Sequence, residues 1–157
     1  MSKANQRLYF LRRLKKFGAS TETLKEVYCL FVRSILEFCT PLWAGNLTKK
    51  CVRMLNRVEQ SAFKIIFPHK TYDQSAENLK MQKLAERRFF ITRRFAKRMS
   101  KMNKFAYLFP KKDKQRSRGA GKFHIPKSFS NRHKFSSIPV FLRILNGEKE
   151  DVVFKNC

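Results

Sequence analysis

Sixteen phenylalanines stand against five glycines in this 157-residue chain, and that imbalance limits the fold more than any motif does. Phe supplies large apolar surface that has to be packed, and scarce Gly leaves few places for left-handed backbone. Together they predict packed helices with few sharp turns. Apolar residues at 43% are too many for a chain held unfolded by its charge. The length suits one globular domain, or one domain with an extension.

Apolar spacing places the helices. Residues 3–17 carry Ala4, Phe10, Leu11, Leu14 and Phe17 on one broad side, and Gly18 supplies a left-handed stop. Tyr9, Arg12, Arg13 and Lys16 fall on the opposite side. A second helix is predicted from Thr23, with Glu26 completing a capping box. Its stripe is Leu24, Val27, Phe31, Ile35 and Phe38, and Pro41 ends it. Thr48 caps a third helix, in which Val52, Leu55, Val58, Ala62 and Ile65 recur before Pro68. Trp43, between the two, reads as a buried hinge residue rather than a stacking platform. A short helix follows over 72–79. A longer one over 83–102 has Leu84, Ile91, Phe95, Met99 and Met102 as its apolar stripe. Lys83, Arg87, Arg93, Arg94, Lys97, Arg98 and Lys101 occupy another side, with Phe90 among them.

The character changes after Pro110. Residues 111–122 read as a basic loop, and 124–135 alternate aromatic, basic and polar residues without a clear period. Residues 137–147 form a short helix, with Pro139 in the first turn and Gly147 past the end. The expected fold is all-α: a small helical bundle over 3–102, then a basic, partly irregular extension over 103–157 with a short helix near 138–146.

Lys and Arg number 36 against 11 acids, a net charge of +25. Between Arg87 and Arg143 eighteen basic residues meet a single acid, Asp113. Such a field attracts polyanions, and neutralising phosphates with release of their counterions requires no particular motif. The expected partner is therefore nucleic acid, as RNA or DNA duplex or hybrid, bound with little sequence preference. The candidate phosphate contacts are Arg12, Arg13 and Lys16 in the first helix and Arg87, Arg94, Lys97, Arg98 and Lys101 in the long one. Lys111, Lys112, Arg116, Arg118 and Lys122 in the loop, and Arg132 and Lys134 beyond it, complete the set. For the first-helix group a plain solvated face is the ordinary alternative.

Chemistry is sparse. Cys29, Cys39, Cys51 and Cys157 lie ten, twelve and 106 residues apart, and His69, His124 and His133 make no ligand spacing with them. Asp73, Asp113 and Asp151 stand some forty residues apart, and nothing fixes a nucleophile beside a base. No Gly-rich phosphate loop occurs. A non-catalytic chain without metal or cofactor is expected. The longest apolar run, 27–32, is too short to span a bilayer, and no secretory signal is visible. The first twenty residues are basic, acid-free and amphipathic, as in a mitochondrial transit peptide, but their helical pattern runs straight into the next element. The expectation is an intracellular protein of nucleus or cytoplasm with reduced cysteines, mitochondrial import being the minor alternative.

Several segments carry a resemblance. They are 3–18, 28–40, Pro41-Leu42-Trp43-Ala44-Gly45-Asn46-Leu47-Thr48-Lys49-Lys50 and Leu55-Asn56-Arg57-Val58-Glu59. Leu84-Ala85-Glu86-Arg87-Arg88, Arg94-Phe95-Ala96-Lys97, Asn131-Arg132-His133-Lys134 and 136–146 follow in order. This succession resembles the region after the palm in reverse transcriptases of non-LTR retrotransposons. In that family the region is a thumb-like helical part gripping the template–primer duplex. The resemblance implies a fragment of a transposable element's RNA-directed DNA polymerase, adjoining a polymerase core that is missing. The family's catalytic aromatic-x-Asp-Asp turn has no counterpart, since no Asp-Asp occurs in this sequence.

Residues 3–18, with Gln6-Arg7-Leu8-Tyr9-Phe10-Leu11-Arg12, also resemble the short N-terminal segment associated with AlkB homologue 8. Oxygenase chemistry there uses a His-x-Asp…His triad, and no His here is followed two residues later by Asp. That likeness implies a shared short helix. Two other readings stay open: an inherited mobile-element remnant without selected function, and a basic helical protein docking on acidic partners.

Overall fold

A computed structural model describes residues 2–112, 122–128 and 130–149. The fold is all-α. Among the described residues there is no strand, and Lys111 and Phe123 form an isolated antiparallel bridge. The chain divides into two compact units, one of Met1–Phe38 with Lys50–Arg87, the other of Cys39–Lys49 with Arg88–Cys157.

In the first unit, α1 (Ser2–Lys16) buries Ala4, Leu8 and Leu11. Phe10 and Phe17, expected on the packed side, are 58% and 76% exposed. The Arg13 guanidinium instead lies over the Phe17 ring, 5.3 Å from its centroid. Gly18 ends the helix at φ 80°, as its position predicted. The cap of α2 (Thr21–Val27) is Ser20, whose Oγ accepts from the Thr23 amide at 3.2 Å. Thr23 is therefore inside the helix, and Glu26 lies too far along to close a capping box.

The next turn changes type. Tyr28–Arg33 is π-helical, with the Ser34 amide donating to the Cys29 carbonyl, and α3 (Ser34–Glu37) follows. In a continuous α-helix, residues four apart drift by about 40° per step, so Leu24, Tyr28, Val32 and Leu36 would spread around the axis. The wider π turn removes that drift. All four are buried in this unit's core. The predicted stripe is displaced accordingly, with Val27 and Ile35 half-buried and Phe31 and Phe38 exposed. Cys39, at φ 51°, breaks the helix two residues before Pro41. By length and composition, Thr21–Asn46 is the one described run apolar enough to cross a membrane. A third of its apolar window is buried in the protein, and Cys39 breaks the run at a left-handed φ.

The helix α5 (Lys49–Ile66) begins directly after Thr48 and buries Val58, Ala62, Phe63 and Ile66. It also buries Glu59 completely. The Glu59 carboxylate accepts from Tyr28 Oη at 3.3 Å, from the Leu84 amide at 3.1 Å, and from Tyr72 Oη in a short bond. Burial first, and the Glu59 charge second, push the Tyr28 phenol far above its ordinary range. The Tyr72 phenol is pushed the same way by burial and by its hydrogen bond to Glu59. The capping box missing from α2 occurs at α6 (Tyr72–Asn78), between Thr71 and Gln74.

The second unit joins α4 (Thr40–Trp43), the 3-10 turn Ala44–Asn46, most of α7 (Leu84–Met99), the 3-10 helix Asn103–Leu108, α8 (Asn131–Lys134) and α9 (Ser137–Leu145). Pro41 sits in the first turn of α4. Trp43 is half-buried where α4 passes into the 3-10 turn. The core is Ala96, Phe109, Phe141 and Leu142, with Val140 and Ile144 packed against Phe89. Residues 137–145, read from sequence as part of an extension, thus contribute much of it. Ser137 Oγ donates to the Leu42 carbonyl at 2.9 Å. Gly45 allows the chains to meet, because a Cβ there would lie 2.5 Å from the Phe135 carbonyl oxygen.

Candidate nucleic-acid interface

The basic side of α7 is the most regular cationic surface. On its second-unit stretch Arg88, Thr92 and Ala96 are buried, four residues apart, which turns Phe90, Arg93, Arg94, Lys97 and Arg98 to solvent. Lys101, just past the helix end, is exposed as well. No acid interrupts this arc. A row at this spacing holds its charges about one helical turn apart, which allows several phosphates to be neutralised together.

Two cations assigned to the arc are engaged internally, both within the first unit. Arg87 is half-buried, with Nε 3.3 Å from Glu37 Oε1. Glu37 also holds Arg33, whose Nε lies 2.6 Å away and whose Nη2 donates to the Gln82 carbonyl at 2.7 Å. Burial is the largest influence and opposes the Arg33 charge, but the Glu37 hydrogen bond together with the surrounding Tyr28, Glu37 and Glu59 outweighs it and raises the guanidinium pKa. Arg87 is thus held by a shared carboxylate fifty residues away in sequence, while its side chain stays 41% exposed. Lys83 pairs with Asp73 at 2.6 Å, and that hydrogen bond raises its pKa.

The loop cations gather at a defined base. The Lys112 amide donates to the Lys122 carbonyl at 3.0 Å, and the His124 amide to the Pro110 carbonyl at 2.8 Å. This pairing brings Lys111, Lys112 and Lys122 together, Lys112 half-buried and the other two exposed. Asn146 fixes the base: its Oδ1 accepts from the Phe123 amide at 2.9 Å and its Nδ2 donates to the Phe123 carbonyl at 3.0 Å. Phe109 packs edge-on to Phe123 beneath it. Arg116 and Arg118 lie outside the described residues, and Arg132 falls in α8 with its side chain outside them.

Arg12, Arg13 and Lys16 are exposed on α1 of the first unit. In the second unit Lys134 is exposed, its Nζ 5.7 Å from the Phe135 ring centroid, and Arg143 approaches the same ring at 5.6 Å. Arg143 escaped the sequence reading because it sits inside an apolar helix. Exposed Lys104 and Lys127 escaped it because they stand outside any periodic pattern. The second unit also holds an open cavity of about 740 Å³, lined by Gly45, Asn46, Leu47, Thr48, Lys49, Asn131 and Phe135. Among the described residues no three His, Cys, Asp or Glu side chains converge to hold a metal ion.

Neither the curated proteins nor the solved structures yield a match to this chain. A family model described as "Alkylated DNA repair protein alkB homolog 8, N-terminal" matches residues 1–25, about a sixth of the chain, comprising α1 and the opening of α2.

Proposed function

We propose that this chain is a non-catalytic module that binds duplex or hybrid nucleic acid through its phosphates, with little sequence preference. The acid-free arc of Arg93, Arg94, Lys97 and Arg98 on α7 carries the reading, because its buried opposite side fixes which way the cations face. The Lys111, Lys112 and Lys122 cluster at the loop base adds to it. We further propose an origin as the thumb-like part of a non-LTR retrotransposon reverse transcriptase, on the ordered segments alone. Within the second unit, two of those segments meet where Gly45 packs on Phe135 and Val140, as parts of one ancestral module would.

Fluorescence anisotropy with a labelled RNA–DNA hybrid, titrated at several salt concentrations, tests the binding reading. Reversing Arg94, Arg98 and Lys101 to Glu should weaken binding equally on unrelated sequences. Loss of three phosphate contacts should flatten the log–log salt slope by about 2.7. Binding that is insensitive to salt, or confined to one sequence, would refute the electrostatic account. An upstream reading frame encoding a palm with an Asp-Asp turn would establish the origin.

A further inference from the structure

We infer that the cavity of the second unit receives one unpaired nucleotide at the end of a bound duplex. The inference rests on the nucleic-acid reading above and adds to it a second, non-helical contact. The cavity's volume, about 740 Å³, lies within the range that small-molecule sites occupy. Its lining divides by chemistry. Leu47 offers half-buried apolar surface for a base, with Phe135, only 7% exposed, a small part of the wall; Asn46 and Asn131 offer carboxamides, and Lys49 offers a cation. Among the described residues no carboxylate lines it, so an anionic ligand meets no like charge from them. Lys134 and Arg143 hold their charges over the Phe135 ring, which adds positive potential beside the apolar wall.

Two details make this a built concavity. Gly45 lets the 45–49 segment approach Phe135 more closely than any side chain would permit, with a Cβ there 2.5 Å from Phe135 O and 2.7 Å from Val140 Cγ2. The Asn46 and Asn131 side chains are exposed, and neither makes a hydrogen bond to another described residue. A carboxamide presents donor and acceptor side by side, which matches the paired groups on a base edge. Inside a duplex the Watson–Crick edge is paired and the faces are stacked, leaving only the groove edges open. An unpaired nucleotide exposes both its edge and its face, and proteins recognise single strands by that combination. An apolar wall, two carboxamides and a lysine suit such a nucleotide better than a bare phosphate, which would leave the apolar wall without a role.

The test compares two labelled RNA–DNA hybrids of the same length, one blunt and one with a three-nucleotide 3′ adenine overhang, using the full chain. The intact protein should bind the overhang hybrid about tenfold more tightly. The Asn46→Ala/Asn131→Ala double variant should lose that preference while its blunt-hybrid affinity stays unchanged. Replacing the first overhang adenine with 2-aminopurine gives a second readout, since its fluorescence should change on binding to the intact protein and not to the double variant. Equal affinity of the intact protein for both hybrids, or a preference that survives the double substitution, would overturn the inference while leaving the phosphate-binding reading intact. Failure to bind either hybrid would remove both.

Discussion

Replacing Glu59 with Ala is expected to destabilise the first unit by about 3–4 kcal/mol. The carboxylate is fully buried and accepts from Tyr28 Oη, Tyr72 Oη and the Leu84 amide. Tyr72 is half-buried and can turn its hydroxyl toward water. Tyr28 and the Leu84 amide cannot, and each buried donor left without an acceptor costs about 1–3 kcal/mol. Two such donors give about 4 kcal/mol, reduced by the relief of no longer burying a charge. Glu59→Gln keeps the shape and one oxygen but turns an NH₂ toward a donor, so about 1.5–3 kcal/mol is expected. Tyr72→Phe removes a donor together with its bond and should cost about 1 kcal/mol. Urea denaturation followed by circular dichroism would measure all three, with an unchanged m-value confirming that the folded state is the same. Three variants within about 0.5 kcal/mol of the parent, or Gln costlier than Ala, would refute the assignment of Glu59 as the acceptor that organises this core.

The same network predicts an alkaline limit: the buried phenol of Tyr28 and the half-buried phenol of Tyr72 ionise far less readily than the ordinary value of 10.0. The unfolded chain therefore loses protons that the folded one keeps, so stability is intact below pH 10 and falls above it by about 1.4 kcal/mol per pH unit for each phenol. Denaturation midpoints measured from pH 9 to 11.5 should show that fall, reduced in Tyr28→Phe. Gly45→Ala should lower Tm by about 3–9 °C, since the new Cβ meets backbone at Phe135 and costs about 1–3 kcal/mol. Gly18→Ala, with no atom within 4 Å of its Cβ but φ at +80°, should cost only about 1 kcal/mol. Asn146→Leu should speed hydrogen exchange at the Phe123 and Lys112 amides without altering α5, and unchanged exchange there would show that the side chain does not hold the loop base.

Helix existence was legible in the sequence and helix phase in part: Ala4, Leu11, Leu24, Val58, Ala62 and Leu84 are buried as read, whereas Phe10, Phe17, Phe31, Phe38 and Met102 are exposed. Gly18 and Gly147 both adopt positive φ where they were expected to end helices, and Pro139 sits in the first turn of α9. The stripe of the second helix missed Tyr28, Val32 and Leu36 because a 3.6-residue period was assumed through a π-helical turn. Glu59 was invisible because an acid within an amphipathic helix reads as solvent-facing until its tyrosine partners arrive from other elements. On the basic surface, Arg94, Lys97 and Arg98 could be read because their spacing repeats along one helix. The Arg87–Glu37 ion pair could not, because it forms only through tertiary packing. Asn46 and Asn131 lacked any periodic signal and come together only by folding.

The π-helical turn at Tyr28–Arg33 has a consequence for how this helix tolerates changes of length. A π turn is an α-helix carrying one surplus residue. Deleting one residue within 28–33 would let the turn relax to α-helical form, and deleting one elsewhere in the helix would find no such slack. The outcome depends on which residue goes. Removal before Tyr28 pulls the aromatic out of line with Glu59, whereas removal of Cys29, Leu30 or Phe31 keeps Tyr28 seated and, as the turn relaxes, leaves the segment bearing Arg33 and Glu37 in register. One helix thus has a tolerant site and an intolerant site for the same single-codon loss, a few residues apart.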